Sequence, residues 1–511
     1  MEDRKERDLE NPFRRARETR EKDGVSGLLT LLRREELLLE VSEEVERLCP
    51  KAFTANSKEV VDGTFFVCKG YTFKKEYLEM AAERGAVFYM AETDYKISLP
   101  RILVKDIRRA TSLAARWFYH APGEELFVTG ITGTKGKTTT AYILKSILDA
   151  GTPGKTAIFS TMEVYTGKKS RISHLTTPEP AELQSYFREA KENGCSHVVM
   201  EVSSQAMKLS RVYGELFPIG IFLNVDEDHI GGKEHATLEE YVNCKISFLS
   251  QCDTVIVNKE TRFFDQVMSG CAGRRTLLYG HDDSCDGVIR NLVSDASGSR
   301  FEFGFENQWY AFETSLVGRF NVENLAAAIL AAFVMGISVG TIQEGIRSVH
   351  IPGRMALMEY NGIHIVVDYA HNYLSFLNVY QAVKETFSPK HIHSLFGSQG
   401  ERSQVRRRDV GVLAEKYADY VYLTADDPGY EDVTEICMEI GKHITKPCRI
   451  IPDREEAVRE ALSAAEPGDV VILAGKGAEV TQRVRDKFVP YISDVKAAQR
   501  WIAEQKERTF S

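Results

Sequence analysis

The sequence lacks the marks of several protein classes. Its nine cysteines include no Cys-x-x-Cys pair, which argues against a zinc ribbon and against a disulfide framework. No apolar run is long enough to cross a bilayer, and the charged N-terminus has no apolar signal core. The net charge of −9 implies no general affinity for nucleic acid. We therefore expect a cytoplasmic protein without membrane insertion and without a nucleic-acid partner.

The 511 residues divide into three blocks after a charged extension. We predict an extension over 1–24, a first domain over 25–122, a central domain over 123–352 and a third domain over 353–511. A leucine-rich pattern over Leu28–Leu39 predicts a helix near the start of the first domain. In the other two domains strand-like runs alternate with helical stretches, which predicts an α/β fold with parallel sheets. Functional loops should follow the carboxyl ends of those strands.

A glycine-rich loop is the most informative segment. The run LFVTGITGTKGKTTT joins an apolar strand to a helix-like pattern and has three glycines before Lys137 and Thr138. Such glycines let backbone N–H groups face phosphate oxygens, while the lysine reaches the outer phosphates and the hydroxyl ligates Mg²⁺. The spacing is irregular, because Ile131 stands where the first glycine is expected and Gly130 lies one residue earlier. The alternative is a glycine-rich turn without function.

Two further segments carry candidate metal ligands. Glu201 ends the apolar strand HVVMEVSS, where a carboxylate suits Mg²⁺ but is also often solvated or salt-bridged. Asp228 and His229 follow another apolar strand, and Lys245 lies sixteen residues beyond His229. A buried lysine is costly unless it is paired or chemically changed, and a carbamate formed with CO₂ would bind metal. The alternative is an ordinary loop histidine with a solvent-facing lysine.

The remaining candidate motifs lie at helix starts and strand ends. GRFNVENLAAAI places Asn321 and Asn324 near the start of an alanine-rich helix, where they could cap the helix or contact an adenine ring. VVDYAHN puts Asp368 and His371 at the end of a strand. GSQGERSQVRRRDVG is an arginine cluster suited to carboxylates or phosphates, or else a solvated basic helix start. LTADDPGYED is an acidic turn, and LAGKGAE is a second glycine turn.

Taken together and in this order, these segments resemble the Mur ligases of peptidoglycan synthesis. The segments that carry the resemblance are TGTKGKTTT, LTTPEP, MEVSSQA, LNVDEDH, GRFNVENLAAA, IPGRM, VVDYAHN and AGKGAE, together with Lys245. The sequence is most like the tripeptide synthetases, and among these like the lysine-adding branch. The resemblance implies a small N-terminal uridine-binding α/β domain, a central P-loop ATPase-like domain with a parallel sheet, and a C-terminal Rossmann-like domain.

The resemblance also implies a reaction and its participants. ATP would phosphorylate the free carboxylate of UDP-N-acetylmuramoyl-L-alanyl-D-glutamate, with Mg²⁺ as cofactor. The amino group of L-lysine would then attack the acyl phosphate to give an amide, ADP and phosphate. The family likeness further implies a monomer.

Site residues follow from the resemblance, motif by motif. Nucleotide contacts are expected from Gly133, Thr134, Lys135, Gly136, Lys137, Thr138, Thr139, Asn321 and His371. Metal ligands are expected to be Thr138 and Glu201 for one Mg²⁺, and His229 and carbamylated Lys245 for a second. The catalytic group comprises Lys137, His229 and Lys245. Substrate contacts are expected from Ser57 to the uridine diphosphate, from Thr176, Thr177, Ser203 and Arg211 to the muramoyl dipeptide, and from Arg407, Asp427, Gly475 and Glu479 to the incoming amino acid.

One departure from the family pattern bears on the amino acid. In diaminopimelate-adding relatives the third-domain turn reads Asp-Asn-Pro-Arg, and its arginine grips a second carboxylate. Here the turn is Asp426–Gly429, so we expect no guanidinium there and an acidic surrounding that attracts a side-chain ammonium. This favours L-lysine, with L-ornithine or meso-diaminopimelate as alternatives. Further departures at Gln205, Leu209 and Ala478 affect some substrate contacts but no phosphate or metal ligand.

Other functions account for fewer of these motifs. A folylpolyglutamate-type or cyanophycin-type ligase would not account for the LTTPEP segment or for the first domain, which resembles a uridine-binding domain. A generic P-loop kinase or ATPase switch explains the loop but not the third domain. A non-catalytic nucleotide-binding partner of a cell-wall amidotransferase would carry a four-cysteine zinc insert, which this sequence lacks.

Overall fold

The computed structural model describes residues 24–70, 72–152, 154–227, 234–401 and 404–510. Most of residues 1–24, and the segment with Asp228 and His229, lie outside the described residues. The described strands form three main sheets and one hairpin. Within these ranges no helix combines the length and the apolar character needed to cross a bilayer.

The first sheet is formed by the N-terminal part of the chain. Its strands are β1 (Leu38–Val41), β2 (Ala52–Thr54), β3 (Thr64–Val67), β4 (Ala86–Ala91) and β5 (Arg101–Val104). Their order is β1-β5-β4-β3-β2, with β1 antiparallel and the other pairs parallel. The helices are α1 (Gly24–Arg34), α2 (Lys75–Glu83) and α3 (Ile107–Phe118).

The helix predicted over Leu28–Leu39 is shorter than expected. The structure ends α1 at Arg34, and Leu38 already belongs to β1. The physical reason lies at Glu36, whose φ of 54° is left-handed and stops the helix. The pattern failed at this point because Leu37, which is buried, continues the leucine spacing across the turn.

The second sheet has eleven strands and contains the glycine-rich loop. Its strands are β6 (Phe127–Thr132), β7 (Thr156–Phe159), β8 (Glu163–Tyr165), β9 (Ser170–Ile172), β10 (His197–Glu201), β11 (Phe217–Phe222), β12 (Cys252–Asn258), β13 (Arg275–Gly280), β14 (Gly287–Asp295), β15 (Gly298–Phe305) and β16 (Gln308–Thr314). Their order is β16-β15-β14-β13-β12-β11-β6-β10-β7-β8-β9. Pairing is parallel from β14 to β7 and antiparallel at both edges.

Two hydrophobic cores cover the two faces of this sheet. The helices are α4 (Lys137–Gly151), α5 (Pro180–Glu192), α6 (Ser204–Lys208), α7 (Leu238–Ser247), α8 (Phe264–Gly270), α9 (Arg319–Val334) and α10 (Val339–Arg347). One core includes residues of α4, α9 and α10, and the other includes residues of α5, α7 and α8. The closely packed α9 is alanine-rich, and Asn321 and Asn324 are buried near its start.

Gly130 belongs to strand β6 rather than to the loop. A Cβ at this position would lie 2.6 Å from Cζ of Phe248 and 2.8 Å from Cδ1 of Phe217. The glycine is therefore required by close packing in the second core. This explains the irregular spacing, because Gly130 is not a displaced first glycine of the loop.

The third sheet and a hairpin form the C-terminal part of the chain. The strands are β17 (Ala356–Tyr360), β18 (Ile363–Asp368), β19 (Ile392–Phe396), β20 (Tyr420–Leu423), β21 (Cys448–Ile450) and β22 (Val470–Ala474), and the hairpin is β23 (Thr481–Val484) and β24 (Lys487–Pro490). The sheet order is β17-β18-β22-β19-β20-β21, parallel except for β17. The helices are α11 (Tyr373–Phe387), α12 (Gln404–Tyr417), α13 (Val433–Gly441), α14 (Arg454–Ala464) and α15 (Asp494–Phe510).

Candidate active site

The glycine-rich loop connects β6 to α4 at the carboxyl edge of the parallel sheet. Gly136 precedes α4 with φ of 87°, and a Cβ there would lie 2.2 Å from Oδ1 of Asn324. The segment after β11 fixes the other side, because Asn224 accepts hydrogen bonds from Thr134 N through its carbonyl (2.9 Å) and from Lys135 N through Oδ1 (2.8 Å). The loop is thus a backbone cradle at a helix N-terminus, the geometry that suits phosphate.

Lys137 and Thr138 begin helix α4 directly after the cradle. Lys137 Nζ donates to the carbonyls of Gly133 (2.8 Å) and Thr134 (3.3 Å), so the ammonium lies over the loop. Thr138 Oγ1 donates to Oε1 of Glu201 at 2.8 Å. The charge and the hydroxyl are therefore on the side of the cradle where phosphate oxygens would bind.

Glu201 is fully buried at the end of β10. Besides Thr138, its oxygens accept from Thr161, with Oε1 at 2.9 Å from the backbone N and Oε2 at 3.2 Å from Oγ1. The end of β10 thus brings the Glu201 carboxylate to the hydroxyls of Thr138, in α4, and Thr161, which follows β7. Hard oxygen ligands in this arrangement fit Mg²⁺, so the residues present suit the cofactor that the resemblance implies.

Lys245 lies in the last turns of α7 and is 1% exposed. Its Nζ donates to the carbonyl of Gly133 at 2.7 Å and lies 4.8 Å from the ring centroid of Tyr241. Tyr241 in turn shares a hydrogen bond of 2.9 Å with Oγ1 of Thr134. The structure thus places Lys245 against the phosphate loop and not in solvent, which excludes the solvent-facing alternative. His229, its expected partner, lies outside the described residues.

Four residues expected at the muramoyl dipeptide meet beside Glu201. Thr177 Oγ1 donates to the carbonyl of Glu201 (2.9 Å) and accepts from Ser203 N (3.0 Å). Thr176 accepts from Oγ1 of Thr161 at 3.1 Å. Arg211 donates from Nη1 to the Thr177 carbonyl at 3.3 Å. A continuous polar network therefore joins the candidate metal side to the candidate dipeptide side.

Glu179 completes this network and links it to the first domain. Its carboxylate accepts from Nε of Arg211 (2.7 Å) and from Nζ of Lys69 (2.5 Å). Burial acts to raise the pKa of Glu179, but the charges of Lys69 and Arg211 outweigh it and lower that pKa. Ser57, expected at the uridine diphosphate, lies buried in the first domain, where its carbonyl accepts from Arg84 at 3.4 Å.

Two of the residues expected to contact the nucleotide, Asn321 and His371, lie on different domains. Asn321, buried in α9, donates from Nδ2 to the carbonyl of Val317 at 2.9 Å. His371 follows β18 and makes a 2.9 Å contact between Nδ1 and the carbonyl of Tyr369. Burial raises the pKa of the nearby Asp368. The positive charge of Lys135, in the phosphate loop, is one of the weaker influences that act in the opposite direction on this pKa. The third domain thus faces the loop.

The amino-acid side of the site is rich in carboxylates. Lys476 donates to Oδ1 of Asp427 (2.8 Å) and to Oε2 of Glu479 (2.5 Å). Gly475, with φ of 114°, brings the chain against Asp426, since a Cβ there would lie 2.7 Å from Asp426 Oδ2. Of the residues expected to receive the amino acid, the structure therefore brings together Asp427, Gly475 and Glu479.

Arg407 lies farther along the same acidic surface and is already paired. It donates from Nη1 to Glu439 and from Nη2 to Glu431, both at 2.7 Å. The side chain is almost completely buried. An incoming carboxylate at Arg407 would therefore have to replace one of these ion pairs.

Lys476 lies beside the predicted amino-acid contacts but is not indicated by the sequence. Asp426, in the acidic surroundings that the sequence predicts for the turn, is 2% exposed, and burial raises its pKa to about 6. Among the residues that the structure describes, its Oδ1 has no hydrogen-bond partner. Lys476 offers no signal in the sequence beyond its place between two glycines.

The expectation that no guanidinium lies at the Asp426–Gly429 turn is wrong. A Cβ on Gly429 would lie 3.7 Å from Cζ of Arg483, which reaches the turn from strand β23. Strand pairing brings it there, because Gly429 N donates to the Arg483 carbonyl at 3.1 Å. The Arg483 guanidinium is paired with Glu401 at 2.6 Å. A Cβ on Gly429 would lie 2.6 Å from Oε2 of Glu401, so a side chain there would displace this flexible carboxylate, and the φ of 59° would strain it as well.

The fold and the loop define an α/β nucleotide-binding protein with a second α/β domain facing the phosphate cradle. Residues 131–332 match the Mur ligase middle domain, and residues 353–477 match the Mur ligase, glutamate ligase domain. The chain belongs to the Mur ligase family.

Similar proteins agree with this membership. A UDP-N-acetylmuramoyl-L-alanyl-D-glutamate--L-lysine ligase of Streptococcus sanguinis is 41% identical over 88% of this chain and 92% of its own. A UDP-N-acetylmuramyl-tripeptide synthetase of Lactococcus lactis subsp. cremoris is 40% identical with the same coverage. A solved UDP-N-acetylmuramoyl-L-alanyl-D-glutamate--2,6-diaminopimelate ligase is 25% identical, with a TM-score of 0.66 over 92% of this chain and 98% of its own.

A more distant structure supports the fold alone. The MurF ligase of Thermotoga maritima, solved in complex with ADP, is 20% identical with a TM-score of 0.62, and the match covers 89% of this chain and 98% of that one. The three-domain Mur ligase fold expected from the sequence is thereby confirmed.

Proposed function

We propose that this chain adds L-lysine to the D-glutamate carboxylate of UDP-N-acetylmuramoyl-L-alanyl-D-glutamate, driven by ATP. The observation that carries the proposal is the pairing of an intact phosphate cradle with a pocket built around Asp426, Asp427 and Glu479. The first explains the use of a nucleoside triphosphate, and the second attracts an amino acid with a cationic side chain. Relatives that are named for this reaction match this chain over most of their length, which supports the proposal.

The first half of the reaction would take place at the loop. The backbone cradle and Lys137 would bind the β- and γ-phosphates and offset the charge that develops during transfer. Arg211, Thr177 and Ser203 would orient the muramoyl dipeptide so that its carboxylate oxygen attacks the γ-phosphorus in line. An acyl phosphate and ADP result, because the carboxylate oxygen forms the new P–O bond as the bond to ADP breaks.

The second half would take place between the central and third domains. The amine of L-lysine must be neutral to attack the acyl carbonyl, and its proton leaves to solvent or to a nearby carboxylate. The tetrahedral intermediate then expels phosphate, leaving the amide. The contribution of the third domain is to bind the amino acid at Asp427, Glu479 and Arg407, so that its amine faces the acyl phosphate.

Mg²⁺ fits the oxygen ligands of this site and would neutralise phosphate charge when bound. Thr138 and Glu201 would hold one ion. Lys245 as a carbamate, together with His229, would hold a second, and Lys245 is buried beside Gly133 of the phosphate loop, where such an ion would be needed.

Phosphate release by the purified enzyme tests this function. Release should require ATP, the muramoyl dipeptide and L-lysine together, and omission of any one should reduce it to background. Release with ATP alone would favour a generic ATPase. Release without the dipeptide but with a folate substrate would favour a folylpolyglutamate-type ligase.

A further inference from the structure

Lys476 is a buried lysine within the cluster of carboxylates that the proposed function assigns to the amino acid. It is 1% exposed, and its Nζ contacts Asp427 (2.8 Å) and Glu479 (2.5 Å). Burial acts to lower the pKa of Lys476, but the charges of Asp426, Glu479 and Asp427 outweigh it and raise that pKa. The ammonium is therefore charged over the whole physiological range of pH.

The backbone on both sides of Lys476 is held by neighbouring segments. Gly475 N donates to the Asp368 carbonyl at 3.1 Å. Gly477, with φ of 52°, packs against the interdomain segment, where a Cβ on Gly353 would lie 2.2 Å from Ala478 N. The turn that carries Lys476 is thus held between strand β18 and the segment that joins the second and third domains.

The other charged and titratable groups that face the cluster are already paired. Arg454 makes a bidentate, buried ion pair with Asp494 (2.8 and 2.7 Å). Asp427 also accepts from the backbone N of Arg483 at 2.9 Å, while the Arg483 guanidinium pairs with Glu401. Burial and the charge of Glu479 raise the pKa of Tyr369, and Arg354 stacks on the Tyr369 ring at 4.5 Å.

The charge balance of the cluster leaves it negative. Among the described residues, three carboxylates, those of Asp426, Asp427 and Glu479, face one ammonium, that of Lys476. Within the same described part of the chain, the buried Asp426 Oδ1 has no hydrogen-bond partner, so part of the acceptor capacity is unused. One additional ammonium would satisfy this acceptor and offset a second charge. Without Lys476 the three carboxylates would repel one another in a buried site.

We propose that Lys476 is a positioning residue for the incoming amino acid, whose buried ammonium fixes Asp427 and Glu479 and offsets one of three carboxylates so that the pocket accepts one further ammonium. This inference rests on the proposed function, because it takes the pocket to be the one that binds the amino acid. It assigns Lys476 no contact with the reacting atoms.

Lys476 should affect the pH dependence of amino-acid binding through Asp426. Lys476 and Arg454 both lower the pKa of Asp426, which burial holds at about 6. Removing the lysine charge raises this pKa further, by about one unit or more. The Asp426 carboxyl of the variant is then protonated at a higher pH, and the affinity for a cationic amino acid is lost earlier as pH falls.

The experiment compares kcat/KM for L-lysine between wild type and Lys476→Met from about pH 6 to pH 9. The ratio of the two profiles cancels the titration of L-lysine itself. We expect the ratio of wild type to variant to rise as pH falls, by about tenfold per pH unit over part of the range. KM for ATP and KM for the dipeptide should not change. A ratio that is flat with pH, or equal changes in all three KM values, would overturn the inference.

Two further variants keep the result independent of folding. Lys476→Gln retains hydrogen-bond donors without charge, so it should show the same pH shift. It takes the place of Lys476→Met if thermal denaturation shows that Lys476→Met does not fold. The double variant Lys476→Met with Asp427→Asn restores the charge balance. Its loss of kcat/KM at low pH should therefore begin at a pH closer to that of wild type. Lys442→Met changes an exposed lysine of the same domain and serves as control. The choice of amino acid by the wild type tests the proposed function separately.

Discussion

Thr138, at the start of α4, donates from Oγ1 to Oε1 of Glu201, at the end of β10, over 2.8 Å. Both side chains are buried, and sixty-three residues of sequence separate them. The parallel pairing of β6 with β10 brings them together. A hydroxyl and a carboxylate thus meet beside the cradle.

Thr138→Ala tests whether this hydroxyl serves the metal. The variant loses one oxygen ligand, so we expect kcat to fall on the order of 100-fold and the Mg²⁺ concentration for half-maximal activity to rise. Thr138→Ser keeps the hydroxyl and should stay within a few-fold of wild type. Steady-state rates at several Mg²⁺ concentrations measure both. Equal activity of the alanine and serine variants would rule out the role.

Lys245→Ala tests the carbamate. A buried carbamate that binds metal cannot be replaced by a methyl group, so we expect activity to fall on the order of 100-fold. Wild-type enzyme freed of bicarbonate should lose activity and regain it when bicarbonate is added, while the variant should not respond. Labelled bicarbonate should yield a carbamate NMR signal in wild type only. Undiminished activity of the variant would contradict the assignment.

Asp426 should make stability depend on pH. The unfolded carboxyl titrates near ~4, and burial raises the pKa of the folded one to about 6. The folded state therefore binds this proton more tightly and loses stability as pH rises from about 4 to about 6. Asp426→Asn should be more stable than wild type by roughly 3 kcal/mol above pH ~6, with the difference vanishing below pH ~4.

Chemical denaturation at several pH values measures this effect. Asp409→Asn, which alters a carboxyl of α12 paired with the adjacent Arg408, is the control and should follow wild type. A constant difference between Asp426→Asn and wild type across the whole range would refute the raised pKa.

Glu401 should restrict the use of amino acids with a second carboxylate. Its carboxylate neutralises Arg483 beside the Asp426–Gly429 turn. Glu401→Gln frees the guanidinium, so turnover of meso-diaminopimelate relative to L-lysine should rise, by up to about fivefold because the ion pair is exposed. Competition between the two amino acids measures the ratio. Glu455→Gln, which breaks the exposed pair with Arg500, should leave it unchanged.

The sequence predicted those parts of the site that depend on local spacing. Lys137, Thr138 and Glu201 follow directly from a strand end or a helix start, and the structure places them together. Lys476 could not be found in this way, because its contact with Asp427 joins segments about fifty residues apart. The same reason explains Arg483, which reaches the turn only through the pairing of β23 with Gly429.

The fold, like the site, could be predicted from the sequence only in part. Parallel strands with continuous apolar runs, such as β18 and β22, were recognisable from the sequence. The antiparallel edge β14 to β16 was not, because its strands bury alternate or isolated residues and leave others exposed. Gly130 looked like a misplaced loop glycine, since nothing in the sequence indicates that Phe217 and Phe248 pack against it. The predicted domain boundaries remain predictions.

A panel of amino acids in the ligase assay tests the central claim most directly. With ATP, Mg²⁺ and UDP-N-acetylmuramoyl-L-alanyl-D-glutamate held constant, kcat/KM is measured for L-lysine, L-ornithine and meso-diaminopimelate. The acidic pocket and the pairing of Arg483 with Glu401 predict that L-lysine has the highest value and meso-diaminopimelate the lowest. Turnover of meso-diaminopimelate equal to or better than that of L-lysine would contradict the account.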